Sequence, residues 1–488
     1  MIKKVFNMNE FPITAVLCGA GNRGMTIYGQ YALKYPEKLR FVAVAEPIES
    51  RRKRFAQQHD ISSENCFFSW KDLFNEQKLA DIAVISTQDQ MHIDPTIQAI
   101  EKGYDVLLEK PMAHTLEGCI KIVKSAEKAN KRLGISHVLR YTDFFSKIKN
   151  LIDNGELGEI INISHRENVS WYHMAHSFVR GNWRNRSLSS PMILAKCCHD
   201  LDLLYWMIGS LPLKVSSFGN LKYFASAYAP KNAPNYCIEG CPIEKSCLYY
   251  APRIYVEIEP IIQIMSYSEN RLLRFFAKLK KKHKFWLNIL SKVIPLLKML
   301  IYWKGWPVEP LYFGQEAYNK EDYSDTAKNE ILKSSPYGRC VFKCDNDVVD
   351  HQVVNIEFMN GTTATLIMHG FSEREGRTIR IDGTKATLFG EFRDCGERIT
   401  LYNHYTGSEQ VVFNRDLGLN FSLHGGGDEL LISAFIESIR LNSTREPLTN
   451  ARESLESHLM AFAADRSRLS NQVIEMKSFR EETEKLSQ

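Results

Sequence analysis

The chain has 488 residues, of which 44% are hydrophobic, 24% charged and 11% aromatic. This is an ordinary globular composition, and it excludes disorder, collagen-like repeats and coiled coil as the dominant state. Lys and Arg total 62 against 57 Asp and Glu, and a net charge of +5 is too weak a basic excess to argue for nucleic acid. The length allows two or three domains with a core that needs no disulfide or metal to fold. The first residues lack the uninterrupted apolar run of a signal peptide, and eleven cysteines without such a signal point to a reducing, cytoplasmic compartment.

Ile13 to Cys18 is a short apolar, β-branched run that leads directly into Gly19-Ala-Gly-Asn-Arg-Gly24. A helix is expected from Met25 to Tyr35, then a second strand, Phe41 to Ala45, stopping at Glu46. Strand, G-x-G-x-x-G turn, helix, strand and a terminal carboxylate form the dinucleotide-binding fingerprint. Gly19 permits the tight turn, Gly21 lets the backbone approach a pyrophosphate, and Gly24 allows close packing of helix on strand. Asn22 and Arg23 complete the turn. Glu46 favours NAD over NADP, because a ribose 2′-phosphate would meet a carboxylate, although Arg51 and Arg52 follow closely.

The alternation continues with strands at Asp81 to Ser86, Tyr104 to Leu108 and Gly134 to Arg140, separated by helices. Such a pattern predicts a parallel sheet whose ligands bind at the carboxyl ends of its strands. Thr87, His92, Glu109, Lys110 and His137 sit at or near those ends and join the cofactor-binding candidates.

The strand ending in Glu109-Lys110-Pro111, the glycine turn and a later helix carrying His199 together resemble the glucose-fructose oxidoreductase, inositol dehydrogenase and rhizopine-catabolism (Gfo/Idh/MocA) family. The resemblance implies an NAD-binding Rossmann domain over residues 1–140, followed by an α+β domain over 141–488 with a large, mostly antiparallel open sheet. It implies that Lys110 reaches both the nicotinamide and the reacting hydroxyl, that Pro111 follows a cis bond, and that members pair through the open sheet. A homo-oligomer acting on a carbohydrate is therefore expected.

In the second region, strand-like runs fall at Glu159 to His165, Lys214 to Phe218, Gln352 to Phe358, Thr362 to Met368, Thr378 to Ile381 and Gln410 to Phe413. The segment Ser189 to Gly209 reads as one helix, with Ser190 as N-cap, Pro191 in the first turn and Gly209 at its end. Lys196, His199 and Asp202 follow one another round one side of it. His199 matches the family's catalytic histidine. The aspartate usual four residues earlier is Ala195 here, so the partner of His199 is left among Lys196, Asp202 and Glu167. Lys110, His199 and Lys196 are the catalytic candidates. Glu167, Trp171, His173, His176, Arg180 and Trp183 crowd the preceding segment; rings and bidentate donors suit a carbohydrate, and such residues serve equally to pack.

Three activities compete: net oxidation or reduction of a sugar, a redox-neutral NAD-dependent glycosidase cycle using transient oxidation at C3 and elimination, and a nucleotide-binding protein without catalysis. Cys237-x3-Cys241-x5-Cys247 is a compact thiol triplet, with Cys340-x3-Cys344 a hundred residues later. The spacings match no standard zinc finger and leave a fourth ligand undefined, so reduced buried thiols are favoured over structural zinc. An insertion at 260–306 carries Lys278, Lys280, Lys281, Lys282 and Lys284 and then an apolar stretch. A lid or oligomer contact is favoured there over a membrane surface. His424-Gly-Gly-Gly-Asp428 reads as a glycine-rich loop before a helix, and 447–488 as a periodic helix with a charged tail.

Overall fold

The computed structural model describes residues 11–268, 270–282, 305–312, 322–394, 396–416, 425–440 and 447–485. The chain divides into two compact units. The first comprises residues up to Ala113, Glu117–Tyr141 and Gly426–Leu455, and the second the remainder.

The first unit is built on a six-stranded parallel sheet of β1 (Ile13–Cys18), β2 (Leu39–Ala45), β3 (Cys66–Phe67), β4 (Ile82–Ile85), β5 (Asp105–Leu108) and β6 (Leu133–Ile135), in the order β3-β2-β1-β4-β5-β6. The order reverses beside β1, the crevice where doubly wound folds take their ligands. Every residue of β4 is buried, as expected of a strand covered on both faces. The helix Leu116–Ala129 covers the sheet through Cys119, Ile122, Val123 and Ala126, the spacing of a single helical stripe.

Three local expectations change. The helix after the glycine turn is π-helical over Arg23–Gly29 before it continues as Gln30–Lys34. The last strand stops at Ile135, so His137 lies just beyond it rather than within it. The segment Gly426–Leu455 joins this unit, although the division at residue 140 groups it with the second. Its attachment is specific: Ile135 N–H donates to the Thr449 carbonyl at 2.9 Å, Gly134 pairs with Asn450, and Arg23 pairs with Asp428 at 2.7 Å.

The second unit holds a nine-stranded sheet of β7 (Ile160–Ser170), β8 (Pro212–Asn220), β9 (His351–Phe358), β10 (Thr363–Ser372), β11 (Gly376–Gly383), β12 (Ala386–Arg393), β13 (Gly396–Asn403), β14 (Glu409–Asp416) and β15 (Ile474–Glu475). The order is β14-β13-β12-β11-β7-β10-β9-β8-β15, and only the β7–β10 pair runs parallel. Strict alternation buries Gln352, Val354, Ile356 and Phe358 of β9 and leaves Asn355 and Glu357 exposed on the opposite face. Among the described residues no helix is long and apolar enough to cross a membrane. In the insertion, Arg271–Lys282 is a helix that buries Leu273 and Phe276 and exposes Leu272 and Phe275. The apolar stretch after it, together with His424, lies outside the described residues.

Candidate active site

In the first unit the glycines divide their labour. Gly19 has φ +95°, a conformation that costs other residues energy. A Cβ on Gly24 would stand 2.1 Å from the Gly19 carbonyl oxygen, so the helix can lie this close only without a side chain. A Cβ on Gly21 would meet nothing within 4 Å, so that backbone faces open space. An open backbone face between two tightly packed glycines fits a pyrophosphate.

Glu46 is buried at the end of β2, and its carboxylate accepts from the Ala20 N–H at 2.8 Å and the Ile48 N–H at 3.0 Å. Its carbonyl accepts from Arg52. The Lys110–Pro111 bond is cis. His92, buried, holds this turn from behind: Nδ1 lies 2.7 Å from the Pro111 carbonyl and Nε2 3.1 Å from that of Thr87. Arg23 is occupied within the protein, donating to Glu109 at 2.6 Å and to Asp428 at 2.7 Å. Tyr28 also donates to Glu109, at 2.8 Å. Arg23 and Glu109 thus brace the turn rather than face outward. Asn22 accepts from the Thr26 hydroxyl at 2.6 Å, and Thr87 donates to the Met91 carbonyl at 3.1 Å. His137 is fully buried; burial first, then the charges of Arg140 and Lys110, push its pKa well below 6.5 and keep the ring neutral.

In the second unit the expected single helix is two: Met192–Ala195 and Cys198–Ile208, broken at Lys196 and Cys197. Pro191, not Ser190, occupies the N-cap, while Gly209 closes the helix at φ +65° as expected. His199 and Asp202 lie on the second helix, both buried. Lys196 turns into a charged cluster instead. It pairs with Glu375 at 2.8 Å and Glu167 at 3.3 Å. Burial alone would discharge it, yet the two carboxylates raise its pKa above the ordinary value. A lysine held this firmly as a cation is a poor proton acceptor, which counts against Lys196 as a base.

The cluster extends further. Arg377 bridges Glu167 at 2.5 Å and Asp200 at 2.7 Å. His165 Nε2 lies 2.7 Å from Asp200, and His173 Nδ1 3.0 Å from Glu375. Ser170 donates to Glu375 through its N–H at 2.8 Å and its hydroxyl at 2.9 Å. Three buried carboxylates therefore share two permanent cations. The imbalance falls on Glu167: burial, with Asp200 and Glu375 adding repulsion against the pull of Arg377 and Lys196, raises its pKa to about 7. Asp200 goes the other way, to about 2, because Arg377 and His165 outweigh its burial.

A pH dependence follows. Glu167 binds its proton more tightly folded than unfolded, so the stability it contributes is complete below its ordinary pKa of 4.5 and is lost as pH rises to about 7. Glu167→Gln is expected to flatten that fall. Melting temperatures of wild type and variant between pH 4.5 and pH 7.5 check it, and parallel curves would refute the raised pKa.

The remaining candidates are occupied otherwise. Arg180 is fully buried and donates to the carbonyls of Arg339 at 2.8 Å and Tyr249 at 2.7 Å. His176 is buried, stacks on Tyr337 at 4.6 Å and lies 3.0 Å from the Tyr255 hydroxyl. Trp171 donates to Gln263 at 3.3 Å, and Trp183 packs near Phe178. The described contacts of Arg180 and His176 are thus with core neighbours. His165, Asp200, Glu375 and Arg377 carry no role in the sequence reading. Arg377 was detectable by period two, since it shares the buried face of β11 with Ile379 and Ile381. Among the described residues no three His, Cys, Asp or Glu side chains converge to hold a metal ion.

Residues 13–137 match the family described as "Oxidoreductase family, NAD-binding Rossmann fold". Residues 145–229 match its "GFO/IDH/MocA C-terminal domain", and residues 299–476 its "Oxidoreductase family, C-terminal alpha/beta domain". The chain belongs to the Gfo/Idh/MocA family. Among curated members, 2,7-anhydro-N-acetylneuraminate hydratase of Escherichia coli (strain K12) is 25% identical over 34% of this chain and 48% of its own length. Inositol 2-dehydrogenase of Salmonella typhimurium is 24% identical over 34% of this chain and 46% of its own. The matches thus span under half of either relative. Aldose-aldose oxidoreductase from Caulobacter crescentus shares the fold, with a TM-score of 0.59 at 14% identity over 95% of this chain and 99% of that one. So does a super-repressor mutant of Gal80p from Saccharomyces cerevisiae, with a TM-score of 0.61 at 13% identity over 96% of this chain and 99% of that one. Family membership fixes the architecture, and the activity rests on the site.

Proposed function

We propose that the chain is an NAD-dependent oxidoreductase that moves hydride between a carbinol carbon of a sugar or sugar derivative and nicotinamide. The observation that carries this reading is the gathering of the open Gly21 backbone, Glu46 and the Lys110–cis-Pro111 turn at the carboxyl ends of one parallel sheet. NAD, when bound, supplies the hydride acceptor or donor. Gly19 to Gly24 present backbone to its phosphates. Glu46, fixed by two amides, accepts from its ribose hydroxyls and repels a 2′-phosphate. Lys110 and His199 are assigned to the hydroxyl proton, roles that the family likeness implies. The curated relatives named above act on polyhydroxylated rings by name, which supports a carbohydrate substrate.

A second reading, a redox-neutral cycle of transient oxidation and elimination, is favoured by the likeness to 2,7-anhydro-N-acetylneuraminate hydratase, whose named reaction is a hydration. The test for both is to denature freshly purified protein and identify any released nucleotide by mass. NAD or NADH at about one per chain supports a cofactor retained through turnover and the redox-neutral cycle. Protein that emerges empty yet binds added NAD supports net oxidation, and NADP in the sample overturns the assignment of Glu46. The polar face of β7, β11, β12 and β13, with its hollow of about 460 Å³ between Arg166, Phe389 and Tyr402, is the surface assigned to self-association in a cytoplasmic homo-oligomer.

A further inference from the structure

Five of the eleven cysteines, Cys237, Cys241, Cys247, Cys340 and Cys344, lie close to one another, although the sequence separates them by up to 107 residues from Cys237 to Cys344. Tyr236 pairs with Arg339 in an antiparallel bridge. Cys237 N–H donates to the Gly338 carbonyl and Cys340 N–H to that of Asn235, each at 2.8 Å, so these two residues are set side by side. Gly240, at φ +81°, then turns the chain so that Cys241 and Cys247 fold back. Cys237, Cys241, Cys247 and Cys340 line one cavity of about 10 Å³. Cys340 is the fourth thiol that spacing alone does not identify. Cys344 is not on that wall; its thiol donates to the Cys340 carbonyl at 3.3 Å.

We propose that these four sulfurs are the ligands of a single tetrahedral zinc ion that ties the 230–250 loop to the Arg339–Cys344 segment. Four thiols around one void match the donor set of closed structural zinc sites. The cavity has room for one water-sized body, which fits a lone ion and leaves no space for a sulfide-bridged cluster. Arg180, otherwise committed to carbonyls, places Nη2 3.6 Å from Cys237 Sγ. All five cysteines are free of disulfides. The sulfurs as they stand do not converge on one point, so binding requires them to turn about their Cα–Cβ bonds into the cavity.

The test is elemental analysis of the untagged full chain, followed by chelation and cobalt titration. The expected result is about one zinc per chain, replaced by cobalt with the visible bands of a tetrahedral thiolate complex. Cys340→Ser and Cys237→Ser lose the bound metal while Cys344→Ser keeps it. Should a serine variant fail to fold, the wild-type cobalt spectrum and thiol titration still decide. Metal-free protein whose four thiols react with Ellman's reagent equally fast with and without added zinc overturns the proposal. So does a disulfide within the set, or iron with acid-labile sulfide.

Discussion

Lys110→Met is expected to lower turnover by about 10³-fold, roughly 4 kcal/mol of transition-state stabilisation, with nucleotide binding retained. Methionine keeps much of the length and apolar stem of lysine and removes only its charge and its protons. The turn that presents residue 110 is held independently of the side chain. His92 braces the Pro111 carbonyl at 2.7 Å, and Glu109 is tied to Arg23 and Tyr28. The variant should therefore fold and hold NAD. Assays would follow NADH absorbance over a panel of aldoses, uronates and inositols, together with the redox state of bound nucleotide in a single turnover. Wild-type rates in the variant would remove Lys110 from the chemistry. Lost nucleotide binding would instead make it a binding residue.

The first unit was largely legible because its signals are local. Five of the six parallel strands announce themselves as apolar runs, while the two-residue β3 does not, and the candidates Glu46 and Lys110 come within two residues of a strand's end. Gly19, Glu46 and Lys110 could be located this way without any knowledge of contacts. What escaped was long-range. Nothing near Thr449 tells that its carbonyl accepts from Ile135 N–H, and that pairing brings Gly426–Leu455 to the first unit. β12 went unread because Gly390 interrupts its pattern. A Cβ there would stand 2.7 Å from Ile379 Cγ2 and 3.0 Å from Phe144, so the glycine admits its neighbours and does not end the strand. Lys196 misled for a related reason. Helical spacing set it beside His199, but the helix breaks at that residue, and its charge is drawn to carboxylates 29 and 179 positions away.

Arg377→Met is expected to destabilise the second unit by about 3–5 kcal/mol near neutral pH, the cost of leaving buried charge without its partner. Among the described residues Arg377 is the one side chain paired with both Glu167 and Asp200, and neither carboxylate reaches water. Asp200 feels the loss most, since Arg377 is the largest influence holding its pKa down at about 2 against its burial. A group so depressed contributes stability above its ordinary pKa of 3.8 and forfeits it as pH falls through about 2. Without Arg377 that contribution disappears at neutral pH, and the variant should recover part of its deficit in acid as Asp200 takes up a proton. Denaturant midpoints at about pH 5 and pH 8 separate this from simple loss of packing, which would be equal at both. Adding Asp200→Asn to Arg377→Met should restore part of the loss, because the amide has no charge to strand. If the double variant is no better than the single, the cluster is held by shape and not by its proton balance. The raised pKa of Glu167 would then lose its physical basis.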